Sequence, residues 1–165
     1  MAVFLTPGSA KAPTLALRAG GKKVFGNYPF FEAAYLGGGL GGIDTAAGVG
    51  AAVGDEPIRG LQRHRYAGDA AVYGNADLRL YVSRFRILLP GEWGVFGFGD
   101  GGRVYLESSG VPTPGLGVLQ GSDKWHYGYG GGLWFAWLDR ANTLSLAYAR
   151  SELRNAFYFK AGFAF

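Results

Sequence analysis

The last stretch of the chain reads Asn155-Ala-Phe-Tyr-Phe-Lys-Ala-Gly-Phe-Ala-Phe165. Every second residue in it is apolar: Phe157, Phe159, Ala161, Phe163 and Phe165. A repeat of two is the period of a β-strand whose faces meet different surroundings. A half-buried strand of a water-soluble sheet has the same period. The segment therefore predicts a strand, and the rest of the chain decides which surroundings its two faces meet.

The composition favours a sheet-rich chain. The 165 residues include 30 glycines, and 16% of the residues are aromatic. Glycine is a poor helix former, whereas aromatic residues are common in strands. A transmembrane helix needs about 18 or more consecutive apolar residues, and the sequence has no such run. We therefore expect an all-β protein that lacks transmembrane helices.

The reactive side chains give no sign of a catalytic or metal site. Cysteine is absent, which excludes disulfides and thiolate metal sites. His64 and His126 lack metal-ligand spacing, and no nucleophile can be combined with a base and an orienting group. The net charge of +4 comes without a dense run of lysine or arginine. The sequence thus predicts a protein that is not an enzyme, holds no cofactor or metal and binds no nucleic acid.

Eight strands are predicted along the chain. They cover residues 2–5, 14–24, 30–36, 69–82, 92–106, 124–138, 142–150 and 155–165. Most approach the length of about 9–11 residues that a tilted strand needs to cross a bilayer. The strand over 69–82 has two clearly different faces. One face is apolar and consists of Val72, Gly74, Ala76, Leu78, Leu80 and Val82. The other face is mostly polar and consists of Tyr73, Asn75, Asp77, Arg79 and Tyr81.

The connections between these strands alternate in length. Residues 25–29, 83–91 and 139–141 form short links, whereas 37–68 and 107–123 form long ones. Short turns on one side and long loops on the other are typical of outer-membrane barrels. The final strand resembles the assembly signal of such barrels, which is carried here by Phe157, Phe159, Phe163 and Phe165. We therefore expect one domain, residues 1–165, that folds as a transmembrane antiparallel β-barrel in the bacterial outer membrane. Its expected partners are the lipid bilayer and the outer-membrane assembly machinery.

Two short motifs carry a more specific resemblance. The first is Ile58-Arg59-Gly60-Leu61 in the longest loop, and the second is Phe98-Gly99-Asp100-Gly101-Gly102 in the fifth strand. Their order and spacing resemble the C-terminal half of the barrel in the bacterial surface antigen superfamily, which includes BamA, TamA and FhaC. That family has a Val-Arg-Gly-Phe/Tyr loop and, two strands later, a Phe-x-Asp-x-Gly motif. Leu61 departs from the family pattern, which has an aromatic residue there.

The resemblance implies a specific contact and a function. In the family the loop folds back into the barrel, so Arg59 is expected to pair with Asp100 in the lumen. Gly60 would allow the loop to turn, and Gly102 would leave room for its approach. The implied function is a pore or a membrane platform for protein assembly or transport, with the arginine loop as plug or gate.

Further charged residues are expected inside the barrel. Asp77 and Arg79 lie two positions apart and therefore on one strand face, with Arg18 and Glu32 as expected lumenal neighbours. These four residues either set pore selectivity or form a charge network that fills the lumen.

The predicted strand count bears on whether one chain can close into a barrel by itself. Side chains fill the interior of a closed eight-stranded barrel, so a loop that bears Arg59 does not fit inside it. We therefore expect half of a larger barrel. Either the chain is a C-terminal half whose N-terminal half is missing or, as we favour, another copy of the chain supplies the second half. A closed small barrel with the loop outside is the alternative. Two other functions stay open: a lipid-modifying barrel that uses Ser122, Asp123 and His126, and a soluble calycin-like ligand binder.

Overall fold

The structure is a computed structural model that describes residues 1–8, 11–26, 28–37, 49–50, 57–61, 65–87, 89–106, 124–138, 143–153 and 155–161. These residues form ten β-strands and a 3-10 turn at Phe30–Glu32. The strands are β1 (Ala2–Leu5), β2 (Thr14–Lys23), β3 (Ala34–Leu36), β4 (Val49–Gly50), β5 (Tyr66–Gly68), β6 (Ala70–Ile87), β7 (Leu89–Tyr105), β8 (His126–Trp137), β9 (Thr143–Ser151) and β10 (Asn155–Ala161). Within the described ranges, no helix has the length and apolar character needed to span a membrane.

Seven of these strands form one antiparallel sheet in the order β1-β2-β6-β7-β8-β9-β10. The two-residue strand β4 pairs in parallel with β10 at the far edge. Strands β3 and β5 form a separate small hairpin. Among the described residues β1 and β10 are not paired with each other, so the sheet is open along these edges.

The all-β, antiparallel character agrees with the sequence analysis, but the expected count of eight sheet strands is wrong. The predicted strand over 30–36 starts as a 3-10 turn, in which the Glu32 amide donates to the Pro29 carbonyl at 2.9 Å. Only Ala34–Leu36 of that segment is extended, and it belongs to the hairpin with β5. The main sheet therefore contains seven antiparallel strands, and residues 162–165 of the last predicted strand lie outside the described part of the chain.

The predicted turn over 83–91 is also wrong, because β6 and β7 continue through it as a long hairpin. Their pairing extends to Ile87 and Leu89. Phe85 packs edge-on against Phe135 and Trp137, with ring centroids 6.5 and 5.8 Å apart. These aromatic contacts give the extension a packed surface, which a solvated turn would lack.

The two faces of the sheet differ in polarity, and the buried face carries the charged and polar residues together with apolar ones such as Phe98 and Ala149. In β6 the buried side chains include Asn75, Asp77 and Arg79. The opposite face of β6 exposes large apolar residues: Val72, Leu78, Leu80 and Val82. The same inversion occurs in β9, whose buried face reads Thr143, Ser145, Ala147, Ala149 and Ser151. Soluble sheets bury their apolar face, so this arrangement is the reverse of theirs.

A small apolar cluster lies at the end of the sheet where β6 begins and β7 ends. It consists of Ala34, Leu36, Ile58, Leu61, Tyr66, Ala71 and Val104. The cluster joins the β3–β5 hairpin and the 57–61 segment to β6 and β7. It therefore holds the 57–61 segment against the polar face of the sheet.

Candidate functional site

The 57–61 segment is fixed by side chains that point in two directions. Ile58 and Leu61 are fully buried in the apolar cluster. Arg59 lies between them and extends along the polar face of the sheet. Apolar residues on both sides of Arg59 therefore fix the backbone from which its guanidinium reaches the strands.

Arg59 binds Asp100 of β7 through three hydrogen bonds. Its backbone amide and its Nε donate to Oδ2 of Asp100 at 2.9 and 2.8 Å, and Nη2 donates to Oδ1 at 2.6 Å. A two-pronged guanidinium–carboxylate pair fixes orientation as well as distance. The contact that the resemblance implies between these two residues is present in the structure.

Two residues of β6 extend the network. Nη2 of Arg59 also donates to Oδ1 of Asp77 at 2.6 Å. The Asn75 side-chain amide donates to Oδ1 of Asp100 and to the Pro57 carbonyl, both at 2.9 Å. Asn75 therefore links the carboxylate to the backbone at the start of the 57–61 segment.

The charges in the network balance. Arg79 lies 3.7 Å from Asp77, so two arginines face two aspartates. The Arg59 guanidinium also stacks over the Phe98 ring, 3.7 Å from its centroid. Burial by itself lowers the pKa of Arg59, but the hydrogen bonds and charges of Asp100 and Asp77 raise that pKa by more. Arg59 therefore stays protonated and paired, which suits a fixed anchor.

Gly60 contacts the other half of the sheet. Its amide donates to the Tyr158 hydroxyl of β10 at 2.6 Å, and its carbonyl accepts from the Ser151 hydroxyl of β9 at 2.9 Å. Its φ of +90° is one that glycine adopts without a steric penalty. A methyl group on Gly128 of β8 would overlap the Arg59 carbonyl oxygen, so β8 also approaches this backbone closely.

These contacts show that the sheet is curved. Five consecutive strands, from β6 to β10, reach the two residues Arg59 and Gly60. In a flat sheet the outer two of these strands would lie about 19 Å apart. The sheet therefore wraps around the 57–61 segment, with its polar face concave and its apolar face convex.

The other predicted site residues have different positions. Gly102 lies buried on the concave face beneath Leu36 and Ile58. Arg18 lies on the same face but binds the Tyr73 hydroxyl at 3.0 Å. Glu32 is exposed in the 3-10 turn and does not join the network, because the segment that carries it is not a strand of the main sheet. Its expected place among the lumenal charges is therefore wrong.

Two of the four phenylalanines of the predicted assembly signal lie in the described part of the chain. Phe157 and Phe159 point to the exposed, convex side of β10. Phe163 and Phe165 lie outside the described residues, as does His64.

Four residues of the site were not singled out from sequence: Asn75, Gly128, Ser151 and Tyr158. Strand alternation places Asn75 and Tyr158 on the polar face. Alternation within a strand does not predict the curvature of the sheet. That curvature brings β9 and β10 to the same loop residues as β6 and β7.

His126 contacts Tyr66 and Glu152. Its ring stacks on Tyr66 with centroids 3.8 Å apart, and its Nδ1 pairs with the Glu152 carboxylate. Ser122 and Asp123, the other members of the enzymatic alternative, lie outside the described residues. Where side chains are described, no group of three histidines or carboxylates could hold a metal ion.

Comparison of the chain with protein-family models, with curated proteins and with solved structures found no match.

Proposed function

We propose that the chain forms part of the wall of an outer-membrane β-barrel, with the 57–61 segment held in the lumen as a plug or gate. The barrel acts as a pore or as a membrane platform for protein assembly or transport. This is the function implied by the resemblance of the two motifs to the bacterial surface antigen superfamily. The observation that carries the proposal is the inverted sheet, whose concave face buries the charged residues and whose convex face exposes large apolar ones.

The convex face has the chemistry that lipid requires. Its central residues are exposed and apolar and include Leu78, Leu80, Leu133 and Leu146. In water this surface would be a large exposed apolar patch, which is unfavourable. In a bilayer the same surface is favourable, while charged groups of the concave face, among them Arg59, Asp77 and Asp100, bind one another.

Aromatic residues lie at both ends of this face. Tyr105, Tyr127 and Tyr129 are exposed near the long connections, whereas Trp93, Phe135 and Trp137 lie toward the opposite end. The strand is about 33 Å long from Tyr127 to Trp137. With a strand tilt of about 40°, this length corresponds to a height of about 25 Å along the membrane normal. An apolar band of about that height with aromatic borders matches an outer-membrane barrel.

The first test asks which face of β8 meets lipid. Trp134 is buried on the concave face, whereas Trp137 lies three residues further along on the convex face. Two single-tryptophan proteins, in which the other tryptophans are replaced by Phe, are reconstituted in vesicles that contain brominated lipids. We expect strong fluorescence quenching of Trp137 and little quenching of Trp134. Equal quenching of both, or a protein that stays in the aqueous phase, would overturn the proposal.

The second test concerns the gate. Replacing Asp100 by Ala removes the carboxylate that receives three hydrogen bonds from Arg59. The 57–61 segment should then leave the lumen more often, so the conductance of planar bilayers should rise or fluctuate. Glu92→Ala is the matched control, because it removes a carboxylate of the same strand that pairs with Arg84 far from the loop. The same conductance for both variants would contradict the gating role.

A further inference from the structure

The two edges of the main sheet run in the same direction. Each of its six neighbouring pairs is antiparallel, so the direction alternates from β1 to β10. With seven strands, an odd number, the first and the last strand are parallel to each other. The expected eight strands would have given edges of opposite direction.

This parity limits how the wall can be completed. If the sheet spans a bilayer as proposed above, the edge amides and carbonyls that pair with no strand among the described residues need partners, because lipid supplies none. Closure within one chain is excluded by space. Side chains would fill the interior of a closed barrel of this size, yet the concave face already holds Ile58, Arg59 and Leu61.

The edge of β10 already accepts a parallel partner. Val49 and Gly50 of β4 pair with Phe157 and Tyr158 in parallel register. Strand β1 has the same direction as β4 relative to the sheet. Its exposed residues Val3 and Leu5 share the convex face with Phe157 and Phe159, so a β1–β10 seam keeps the apolar sides together.

We propose that a second copy of this chain completes the wall through two parallel seams, each formed by β1 of one copy and β10 of the other. Both copies have the same orientation in the membrane, and β1 of the second copy takes the place of β4 on the β10 edge. The assembly has fourteen main strands and two equal seams related by a twofold axis. This inference rests on the proposed membrane location.

Disulfide mapping tests the direction of the seam, and the absence of natural cysteines gives a clean background. Differently tagged chains, each with a single cysteine, are mixed, folded in detergent and oxidised. The four mixtures combine Val3→Cys or Leu5→Cys with Phe157→Cys or Phe159→Cys. A cross-link between differently tagged chains can only be intermolecular. Leu78→Cys mixed with Leu133→Cys serves as the control, because both residues lie on the convex face away from the edges.

A parallel seam makes a specific pattern. The pair of residues 3 and 157 should cross-link as efficiently as the pair 5 and 159, while the other two pairs differ from each other. Native mass spectrometry should give twice the mass of one chain, with no cross-link in the control mixture. Equal efficiency for 3 with 159 and for 5 with 157 would indicate an antiparallel seam and overturn the inference.

A single-chain mass without intermolecular product would also overturn the inference. These results are separate from the lipid test. Quenching of Trp137 alone, combined with a single-chain mass, would keep the membrane wall and reject the second copy.

Discussion

The concave and convex faces of the sheet are ordered by different physics. On the concave face, Arg59 meets Asp77 and Asp100 through hydrogen bonds of 2.6 to 2.9 Å, and each partner is fixed in position. On the convex face, residues such as Leu78 and Leu146 are exposed and need only an apolar environment. The concave face therefore depends on geometry, whereas the convex face depends on the surrounding solvent.

This difference has a consequence for substitutions. A buried ion pair that loses one partner leaves a charge without compensation, whatever surrounds the protein. A convex-face leucine that becomes charged is costly in lipid and nearly neutral in water.

The largest effect is expected from Arg59→Ala. This change leaves the buried Asp100 carboxylate without its arginine partner and Asp77 with Arg79 alone, and it should lower the free energy of unfolding by about 3–5 kcal/mol. Urea unfolding in detergent measures the loss. Adding Asp100→Asn to Arg59→Ala should restore much of the stability, because the remaining aspartate of the network, Asp77, still faces Arg79. If the double variant is as unstable as Arg59→Ala, unpaired charge is not the cause.

A charge on the convex face should have the next largest effect. Leu146 lies at mid-sheet, paired with Leu133 and Phe159. Leu146→Arg should cost about 2–4 kcal/mol when the protein is folded in a bilayer. Leu153→Arg is the control, because Leu153 is an equally apolar, exposed residue in the turn beyond β9. A cost below about 0.5 kcal/mol for Leu146→Arg would fit a water-exposed surface instead.

Gly128→Ala probes the space between β8 and the loop. The added methyl group would overlap the Arg59 carbonyl oxygen, and overpacking of this kind costs about 1–3 kcal/mol. Gly99→Ala is the control, because Gly99 lies on the convex face of β7 with open space where a methyl group would go. Limited proteolysis should cut the 57–61 region faster in Gly128→Ala only. Equal cleavage of both variants would mean that the loop does not rest on β8.

The smallest effect is expected for a hydrogen bond that lies outside the strands of the main sheet. The Tyr28 hydroxyl donates to the Asp69 carboxylate, and burial together with this bond raises the pKa of Tyr28 from 10.0 to about 12. The neutral phenol is the form that binds, so its contribution is complete below pH 10.0 and lost as the pH rises toward about 12. Unfolding of the wild type and of Tyr28→Phe should therefore differ below pH 10.0 and converge toward pH 12. A difference that is constant with pH would contradict this assignment.

Much of the fold could be predicted from local patterns. Alternation over residues 69–82 assigned Asp77 and Arg79 to one face and Leu78 and Leu80 to the other, because the side-chain period of a strand is two. The same reasoning gave a wrong prediction for residues 30–36, because Pro29 starts a 3-10 turn that periodicity does not detect. The β6–β7 extension was missed because its support comes from Phe135 and Trp137, about fifty residues away in sequence.

The candidate site could be predicted only in part from the sequence. The motif resemblance indicated the contact of Arg59 with Asp100, yet it gave no reason to expect Asn75, Ser151 or Tyr158 beside them. These residues approach the loop because the sheet curves, and curvature depends on the packing of many strands at once. Glu32 shows the opposite case, because a suitable charge was expected in the network and the backbone placed it elsewhere.

By itself the sequence determined that the chain is all-β and that its strands have one polar and one apolar face, since both properties follow from neighbouring residues. Only the tertiary structure decided that the polar face is the buried one, that seven strands share the main sheet, and that five of them meet at Arg59 and Gly60. The physical reason is the range of the interactions involved. Alternation is a property of a single strand, whereas the sense of burial, the strand count and the curvature depend on how distant strands pair and pack.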